Sequence, residues 1–224
     1  MSVTSNLKAV LKNIPSEVTL VAVSKTKPNE DILEAYDAGH RHFGENKVQD
    51  LVAKYETLPK DINWHFIGHL QTNKVKYIVP FAHLIHGIDS EKLLKEVNKR
   101  AKNANRIQPI LLQIYIAEEE SKFGLDRAEA FAIIEKIKNG DFPFIQLKGL
   151  MGMATNTDSE VQVAKEFKGL KNLFDEFNKT MLPISVLSMG MSGDYALAIE
   201  CGSNLVRVGS KIFGERNYEG SKGY

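Results

Sequence analysis

The chain has 224 residues, of which 43% are hydrophobic and 25% are charged, so it can bury the core of an ordinary globular protein. Its formal net charge of +1 excludes a strong overall attraction to nucleic acid or to a membrane surface. The single cysteine, Cys201, excludes an internal disulfide and a thiolate metal site, and it suits a reducing compartment. The start of the chain is too polar for a signal peptide, and no run of about 18 apolar residues could span a bilayer. We therefore expect a cytoplasmic protein.

Apolar residues at helical spacing predict a first helix that ends before Pro15. Beyond it, short apolar runs alternate with longer segments of helical period. These runs predict eight strands, at residues 18–24, 41–46, 63–68, 83–88, 109–116, 144–154, 184–192 and 204–214. Four of the intervening helices have start signals, which are Asn29, either Asp89 or Ser90, Asp126, and a capping box of Thr157 with Glu160.

Eight repeats of strand and helix predict a parallel sheet with right-handed crossovers. A single (β/α)8 barrel over residues 1–224, with the first helix as an addition, is favoured over an open doubly wound sheet. The reason is that polar and glycine residues follow nearly every strand, where a barrel builds its functional site. No linker rich in glycine, proline or serine divides the chain into domains.

Lys25 follows directly on the apolar run of the first strand. A buried ammonium is costly unless it is paired or neutralised, and an amine in apolar surroundings has a lowered pKa that suits Schiff-base chemistry. Alternatively, the side chain lies along the rim of the barrel with its charge in water. The position alone leaves both interpretations open.

The second and third strands carry weaker signals. Asn46 could hydrogen-bond a ligand or cap the following helix, and His65, between two aromatic residues, is typical of a satisfied core histidine. The six histidines show no spacing typical of a metal site, so none is predicted.

The last two strands suggest an anion site. The stretch LSMGMSGD at 187–194 supplies hydroxyls and glycines, and Arg207 lies two residues before the pair Gly209 and Ser210. Barrels often bind phosphate in the loops after strands 7 and 8. A lysine from strand 1, this cradle and an arginine on strand 8 together describe a pyridoxal 5′-phosphate (PLP) site, in which Arg207 could face the pyridine nitrogen.

Six stretches closely resemble the pyridoxal phosphate homeostasis (YggS/PROSC) family over residues 18 to 218, and they are LVAVSKTKP, HFGENKVQD, WHFIGHLQTNK, LKGLMGMA, LSMGMSGD and VRVGSKIFGER. The resemblance implies a barrel similar to the N-terminal domain of bacterial alanine racemase. It also implies that Lys25 holds PLP as a Schiff base. The other residues that match the family's cofactor site are Asn46 beside the ring, Arg207 at the pyridine nitrogen, Ser188, Gly209 and Ser210 at the phosphate, and Met189 and His65 in lining motifs. Lys27 and Lys211 match basic positions whose roles stay open.

The family implies a role in intracellular PLP homeostasis rather than efficient catalysis. Racemases add a C-terminal β domain that carries a second base, and this chain ends at Tyr224 without room for one. The partners expected are PLP and apo-enzymes that need it, with no nucleic acid, no membrane and a monomeric state. Two alternatives stay open, namely a PLP-dependent amino-acid racemase of broad specificity and an aldolase-type barrel that uses the lysine without a cofactor.

Overall fold

The computed structural model describes residues 2–118 and 123–215. The stretch EEESKFGL at 118–125, which resembles the family's loop after the fifth strand, lies partly outside the described residues. The eight strands are β1 (Thr19–Val23), β2 (His42–Glu45), β3 (Asn63–Phe66), β4 (Leu84–Ile88), β5 (Gln108–Gln113), β6 (Ile145–Met151), β7 (Val186–Ser188) and β8 (Leu205–Val208).

The strands close into one parallel barrel in the order β1 to β8. Each strand pairs with the next along the chain, and β8 returns to β1 with Thr19 opposite Leu205 and Ala22 opposite Val208. This closure confirms the predicted (β/α)8 barrel and rules out the open sheet. All eight carboxyl ends meet at one end of the barrel, which is where the candidate site lies.

The helices are α1 (Val3–Lys12), α2 (Asn29–Asp37), α3 (Val48–Thr57), α4 (Val75–Ile78), α5 (Glu91–Asn103), α6 (Arg127–Lys138), α7 (Glu160–Thr180), α8 (Tyr195–Glu200) and α9 (Ser210–Phe213). A short 3-10 turn at Thr72–Lys74 leads into α4. The added helix α1 is fixed by hydrogen bonds to two neighbours, since the Thr4 amide donates to Glu34 and the Asn6 side chain donates to the Ile212 carbonyl.

Two of the predicted helix starts are confirmed and two are wrong. Asp126 forms a capping box with Glu129, and Ser90 accepts from the Leu93 amide. Asn29 is the first residue of α2 rather than its cap, because the extended Pro28 already occupies the position before the helix. Likewise α7 is capped by Ser159, not by Thr157.

The predicted ends of strands 7 and 8 are also wrong. Strand β7 stops at Ser188 rather than 192, because Gly190 turns the chain with a φ of 95° that other residues rarely adopt. Strand β8 stops at Val208 rather than 214, and the apolar residues that follow it are buried as part of α9. The apolar residues Ile212 and Phe213 fit a strand pattern, although they belong to α9.

The core has two layers. A large outer layer lies between the strands and the helices, and a small apolar layer of Val21, Leu84, Leu111, Met151 and Leu205 fills part of the barrel interior. The rest of the interior is polar, which is unusual because barrels are generally filled with branched apolar side chains. None of the described helices combines the length and apolar character needed to cross a bilayer.

Candidate functional site at the carboxyl end of the barrel

A cavity of about 460 Å³ opens among the carboxyl ends of the strands. Five of the residues predicted from sequence line it, and they are Lys25, Asn46, Arg207, Gly209 and Ser210. The cavity thus brings together groups from the first, second and eighth strands that are up to 185 positions apart in the chain.

Lys25 is presented by a tight turn rather than by the strand itself. Strand β1 ends at Val23, Ser24 is buried, and the Lys27 amide closes the turn by donating to the Ser24 carbonyl at 3.0 Å. Thr26 in this turn has a φ of 65°, in the left-handed region that costs energy for a side chain branched at Cβ. The half-buried Lys25 side chain lines the cavity.

A buried ion pair supports this turn from behind. Lys54 Nζ on α3 donates to the Ser24 carbonyl at 2.9 Å and to Glu45 Oε1 at 2.7 Å, and the Ser24 hydroxyl donates to the same Glu45 oxygen at 2.6 Å. Burial raises the pKa of the Glu45 carboxyl, whereas the charge and hydrogen bond of Lys54 act to lower it. Sequence reasoning missed this pair. The available signal was helical spacing, because Lys54 shares the inward face of α3 with Val48 and Leu51.

Arg207 enters the cavity from β8 and is 4% exposed. Its Nη1 donates to the Ser188 carbonyl at 2.9 Å and to the Ser188 hydroxyl at 2.5 Å, and its Nη2 donates to the Gly152 carbonyl at 3.1 Å. Burial lowers the pKa of this guanidinium to about 10, so it still carries a positive charge at neutral pH. The cavity therefore has a fixed cation on its inner wall.

The loops after β7 and β8 form a cradle of hydroxyl and amide groups. The Gly209 amide donates to the Ser192 hydroxyl at 3.1 Å, and both residues line the cavity together with Gly193 and Ser210. The turn at Gly190 excludes a side chain, because a Cβ there would lie 2.6 Å from that of Ala198. Hydroxyls, glycine backbone and nearby cations are the groups that bind phosphate in proteins. The cavity thus fits a ligand that carries both a phosphate and a carbonyl able to react with an amine.

Three predicted residues do not lie on the cavity wall. His65, Ser188 and Met189 are buried beneath it, with at most 1% of their surface exposed. Ser188 contacts the site indirectly by accepting from Arg207, and Met189 belongs to the outer core. The alternative of Asn46 as a helix cap is wrong, since α3 follows Lys47 without a side-chain cap while Asn46 faces the cavity.

His65 belongs to a chain of side chains that runs along the barrel interior. His42 Nδ1 lies 2.9 Å from His65 Nε2, His65 Nδ1 lies 2.9 Å from His86 Nε2, and His86 Nδ1 lies 3.1 Å from the Ser188 hydroxyl. Burial is the main cause that lowers the pKa of all three rings, to about 4 for His42. The histidines are therefore neutral at pH 7. Their spacing of 21 to 23 residues in the chain gives no local motif.

Sequence reasoning also missed lining residues on the other side of the cavity. His69 stacks on Phe123 with ring centroids 4.5 Å apart, and its Nδ1 lies 2.9 Å from Asp89 Oδ2. Gln113 donates to the Phe123 carbonyl at 2.8 Å. His69 and Asp89 follow strands β3 and β4, and Gln113 ends β5. The barrel topology was therefore the signal that could have found these three residues.

The two basic positions left open have different surroundings. Lys27 lines the cavity, and its Nζ donates to the carbonyls of Phe213 and Glu215 at 2.7 and 3.0 Å. Lys211 lies over the ring of Tyr195, with Nζ 4.8 Å from the centroid. Lys27 thus adds a charge to the cavity and ties the first turn to the segment after α9.

Comparison with known proteins places this geometry in context. The family model for the alanine racemase N-terminal domain matches residues 2–217. The Pasteurella multocida pyridoxal phosphate homeostasis protein is 38% identical, over 97% of this chain and 99% of its own. The structure of PipY from Synechococcus elongatus with PLP bound superposes with a TM-score of 0.87 at 33% identity, over 95% of this chain and all of PipY. Bartonella henselae alanine racemase shares the fold, with a TM-score of 0.74 at 17% identity, over 95% of this chain and 58% of the racemase.

These matches cover nearly the whole chain on both sides of the comparison. The chain belongs to the pyridoxal phosphate homeostasis protein family, whose fold is that of the alanine racemase N-terminal domain.

Proposed function

We propose that this member of the family is a single PLP-binding barrel that takes part in intracellular PLP homeostasis, with the cofactor held at the carboxyl end of the strands. The observation that carries the proposal is that Lys25, Arg207 and the cradle after β7 and β8 line one cavity. The bound cofactor in PipY, at 33% identity, supports it. The cofactor supplies a reactive aldehyde together with a phosphate anchor.

Lys25 is the group assigned to the aldehyde. Its amine would attack the aldehyde carbon and form a Schiff base while one water molecule leaves, and the reverse reaction with water would release the cofactor. A reversible linkage suits a protein that stores and delivers an aldehyde. The ion pair of Glu45 with Lys54 holds Ser24, and thereby the start of the turn that positions Lys25.

Arg207 is assigned to the pyridine nitrogen. Its hydrogen bonds to Ser188 and Gly152 fix the guanidinium, and its charge disfavours a proton on a neighbouring ring nitrogen. A ring that stays unprotonated withdraws electrons less strongly. This assignment therefore favours holding the cofactor over activating amino acids with it.

The phosphate is assigned to the cradle. Ser192, Gly193, Gly209 and Ser210 would donate through hydroxyl and backbone groups, and Lys27 would add a positive charge at the rim. Asn46 is assigned to the edge of the ring. In this arrangement His65, Ser188 and Met189 act from beneath the wall rather than by facing the cavity.

The proposal also includes a cytosolic, monomeric protein that delivers PLP to apo-enzymes. These points rest on the sequence and on the family's role, and they stay predictions.

The experiment is retention of PLP by the purified full chain, followed by its absorption at about 420 nm. Lys25→Ala is expected to abolish the band and to leave only weak, dialysable binding. Lys27→Arg is the matched control, since it removes a second primary amine from the same cavity but keeps the positive charge assigned to the phosphate, and it should keep the band. Loss of the band in Lys27→Arg alone would contradict the assignment.

A second candidate function, an amino-acid racemase of low activity, is favoured by one observation. His69 lines the cavity and its Nδ1 lies 2.9 Å from Asp89 Oδ2, so an oriented imidazole faces the cavity in addition to Lys25. Exchange of the α-hydrogen of L-alanine with deuterium would distinguish the two functions. Turnover that requires both Lys25 and His69 would support the racemase, and absence of exchange would support homeostasis alone.

A further inference from the structure

Three histidines converge at the end of the barrel opposite the cavity. His42 begins β2, His65 lies within β3, and His83 immediately precedes β4. Their ring centroids lie 5.2 to 5.6 Å apart, and one ring nitrogen from each lies within 4.8 Å of the others. Within the described residues, this is the group of side chains that could jointly hold a metal ion.

We propose that His42, His65 and His83 form a binding site for a divalent metal ion that prefers imidazole, such as Zn²⁺. The site lies outside the proposed PLP cavity and uses none of the residues that line it.

The geometry is close to that of a three-histidine zinc site. Zinc binds imidazole nitrogen at about 2.0–2.1 Å, so two nitrogens of a tetrahedral site lie about 3.4 Å apart. His42 Nδ1 and His65 Nε2 are 2.9 Å apart, slightly closer than this, and they share a hydrogen bond that the metal would replace. His83 is exposed and can rotate toward them. Its exposure also leaves a fourth position open to water, as in catalytic zinc sites with three protein ligands.

Two nearby cations limit the affinity. Arg106 and Lys148 act on His83, and they disfavour positive charge at this end of the barrel. A site without thiolates or carboxylates and beside two cations should bind more weakly than a structural zinc site. It should also select metals with a strong preference for nitrogen over those that prefer oxygen, such as Mg²⁺.

Metal binding would fix the direction of the histidine chain. A ligating histidine donates its other ring N–H to a partner. With His65 Nε2 on the metal, its Nδ1 would donate to His86 Nε2, and His86 Nδ1 would then donate to the Ser188 hydroxyl. The ring nitrogens that carry the protons of His65 and His86 would therefore show whether a metal ion is bound at the His42 end of this row of histidines.

The experiment is a titration of the untagged, chelator-treated full chain with Zn²⁺ against a chromophoric indicator. We expect one equivalent to bind to the wild type, and His83→Ala to weaken binding by about tenfold or more. His83 is exposed, so its replacement should leave the fold intact, which circular dichroism checks. His69→Ala, at the opposite end of the barrel, is the matched control and should bind as the wild type does.

A second readout uses ¹⁵N NMR of the histidine rings. We expect Zn²⁺ to move the proton of His86 to Nδ1 in the wild type but not in His83→Ala. Absence of stoichiometric binding to the wild type, or equal binding by His83→Ala and His69→Ala, would overturn the proposal.

Discussion

The ion pair of Lys54 with Glu45 and the Arg207 system both keep a cation away from water, but they differ in what surrounds the cation. Lys54 lies between the barrel and α3, next to the carboxylate of Glu45 at 2.7 Å. Arg207 lies inside the barrel, where it donates to oxygens of Ser188 and Gly152. The Ser188 hydroxyl in turn contacts His86, one of the neutral histidines. The first arrangement pairs its cation directly with a carboxylate. The second has neutral hydrogen-bond partners, with Asp194 acting on it only electrostatically, and directs its charge at the cavity.

This difference distinguishes polar groups that stabilise the fold from polar groups that can act on a ligand. A buried charge that is already paired has little left to offer a ligand. A buried cation held by neutral oxygens keeps much of its electrostatic effect for a group that enters the cavity. The comparison predicts that damage to the first region lowers stability above all, while damage to the second lowers cofactor retention above all.

The largest effect on stability should come from Lys54→Met. It leaves the Glu45 carboxylate buried without its cation, and removal of one partner of a buried pair typically costs about 3–5 kcal/mol. Urea unfolding of the apo-protein measures this change. The double variant with Glu45→Gln should recover a large part of the loss because it also removes the stranded charge. A cost below about 1 kcal/mol for Lys54→Met would show that the pair is not a structural unit.

The second effect is a loss of stability in mild acid that arises from the interior histidines. Their pKa values are lowered in the folded protein, whereas the unfolded rings take up protons below about pH 6.5. The stabilisation is therefore complete above pH 6.5 and is lost as the pH falls toward about 4, the pKa of His42. The fully buried rings His65 and His86, whose pKa values are lowered most, should contribute most of this loss.

Unfolding in urea at pH 7 and pH 5 tests this. Glu45 acts in the opposite direction, since its pKa is raised and its contribution is lost as the pH rises. Equal stability at the two pH values would mean that the histidines are not held neutral by the fold.

Arg207→Met should have the smallest of these effects on stability. Its effect on PLP binding should be larger than that of Lys54→Met. It removes the Arg207 donor from the buried carbonyls of Gly152 and Ser188, the second of which still accepts from the Gly152 amide. The cost should be about 1–3 kcal/mol, since no opposite charge is stranded. PLP retention should fall by about tenfold or more, as expected for loss of a charged hydrogen-bond donor. Equilibrium dialysis of PLP against the variant and the wild type measures it. Unchanged retention would remove Arg207 from the site and erase the distinction between the two regions.

The sequence predicts the barrel well because its evidence is periodic and repeated. Eight alternations of strand and helix constrain the topology even where single boundaries, such as the end of β8, are wrong. The five residues on the cavity wall were predictable for the same reason, since they lie near or just after the carboxyl ends of strands, and these ends must meet. The interior was not predictable. His42, His65 and His86 lie on three different strands, and only the pairing of these strands in the sheet brings the two ring nitrogens of His65 to 2.9 Å from those of His42 and His86.

The supporting pair was missed for a related reason. A lysine on the inner face of a helix has a buried partner only if the strand beneath supplies a carboxylate at the same height, and Glu45 does so nine residues earlier. Local pattern identifies the face of a helix but not what lies opposite it.

The most direct test is to locate the covalent bond. The full chain loaded with PLP would be reduced with borohydride, digested and analysed by mass spectrometry. A pyridoxyl adduct on Lys25 and not on Lys27 is the expected result. An adduct on another lysine, or none in a protein that retains the cofactor, would contradict the assignment of the first turn of the barrel to the aldehyde.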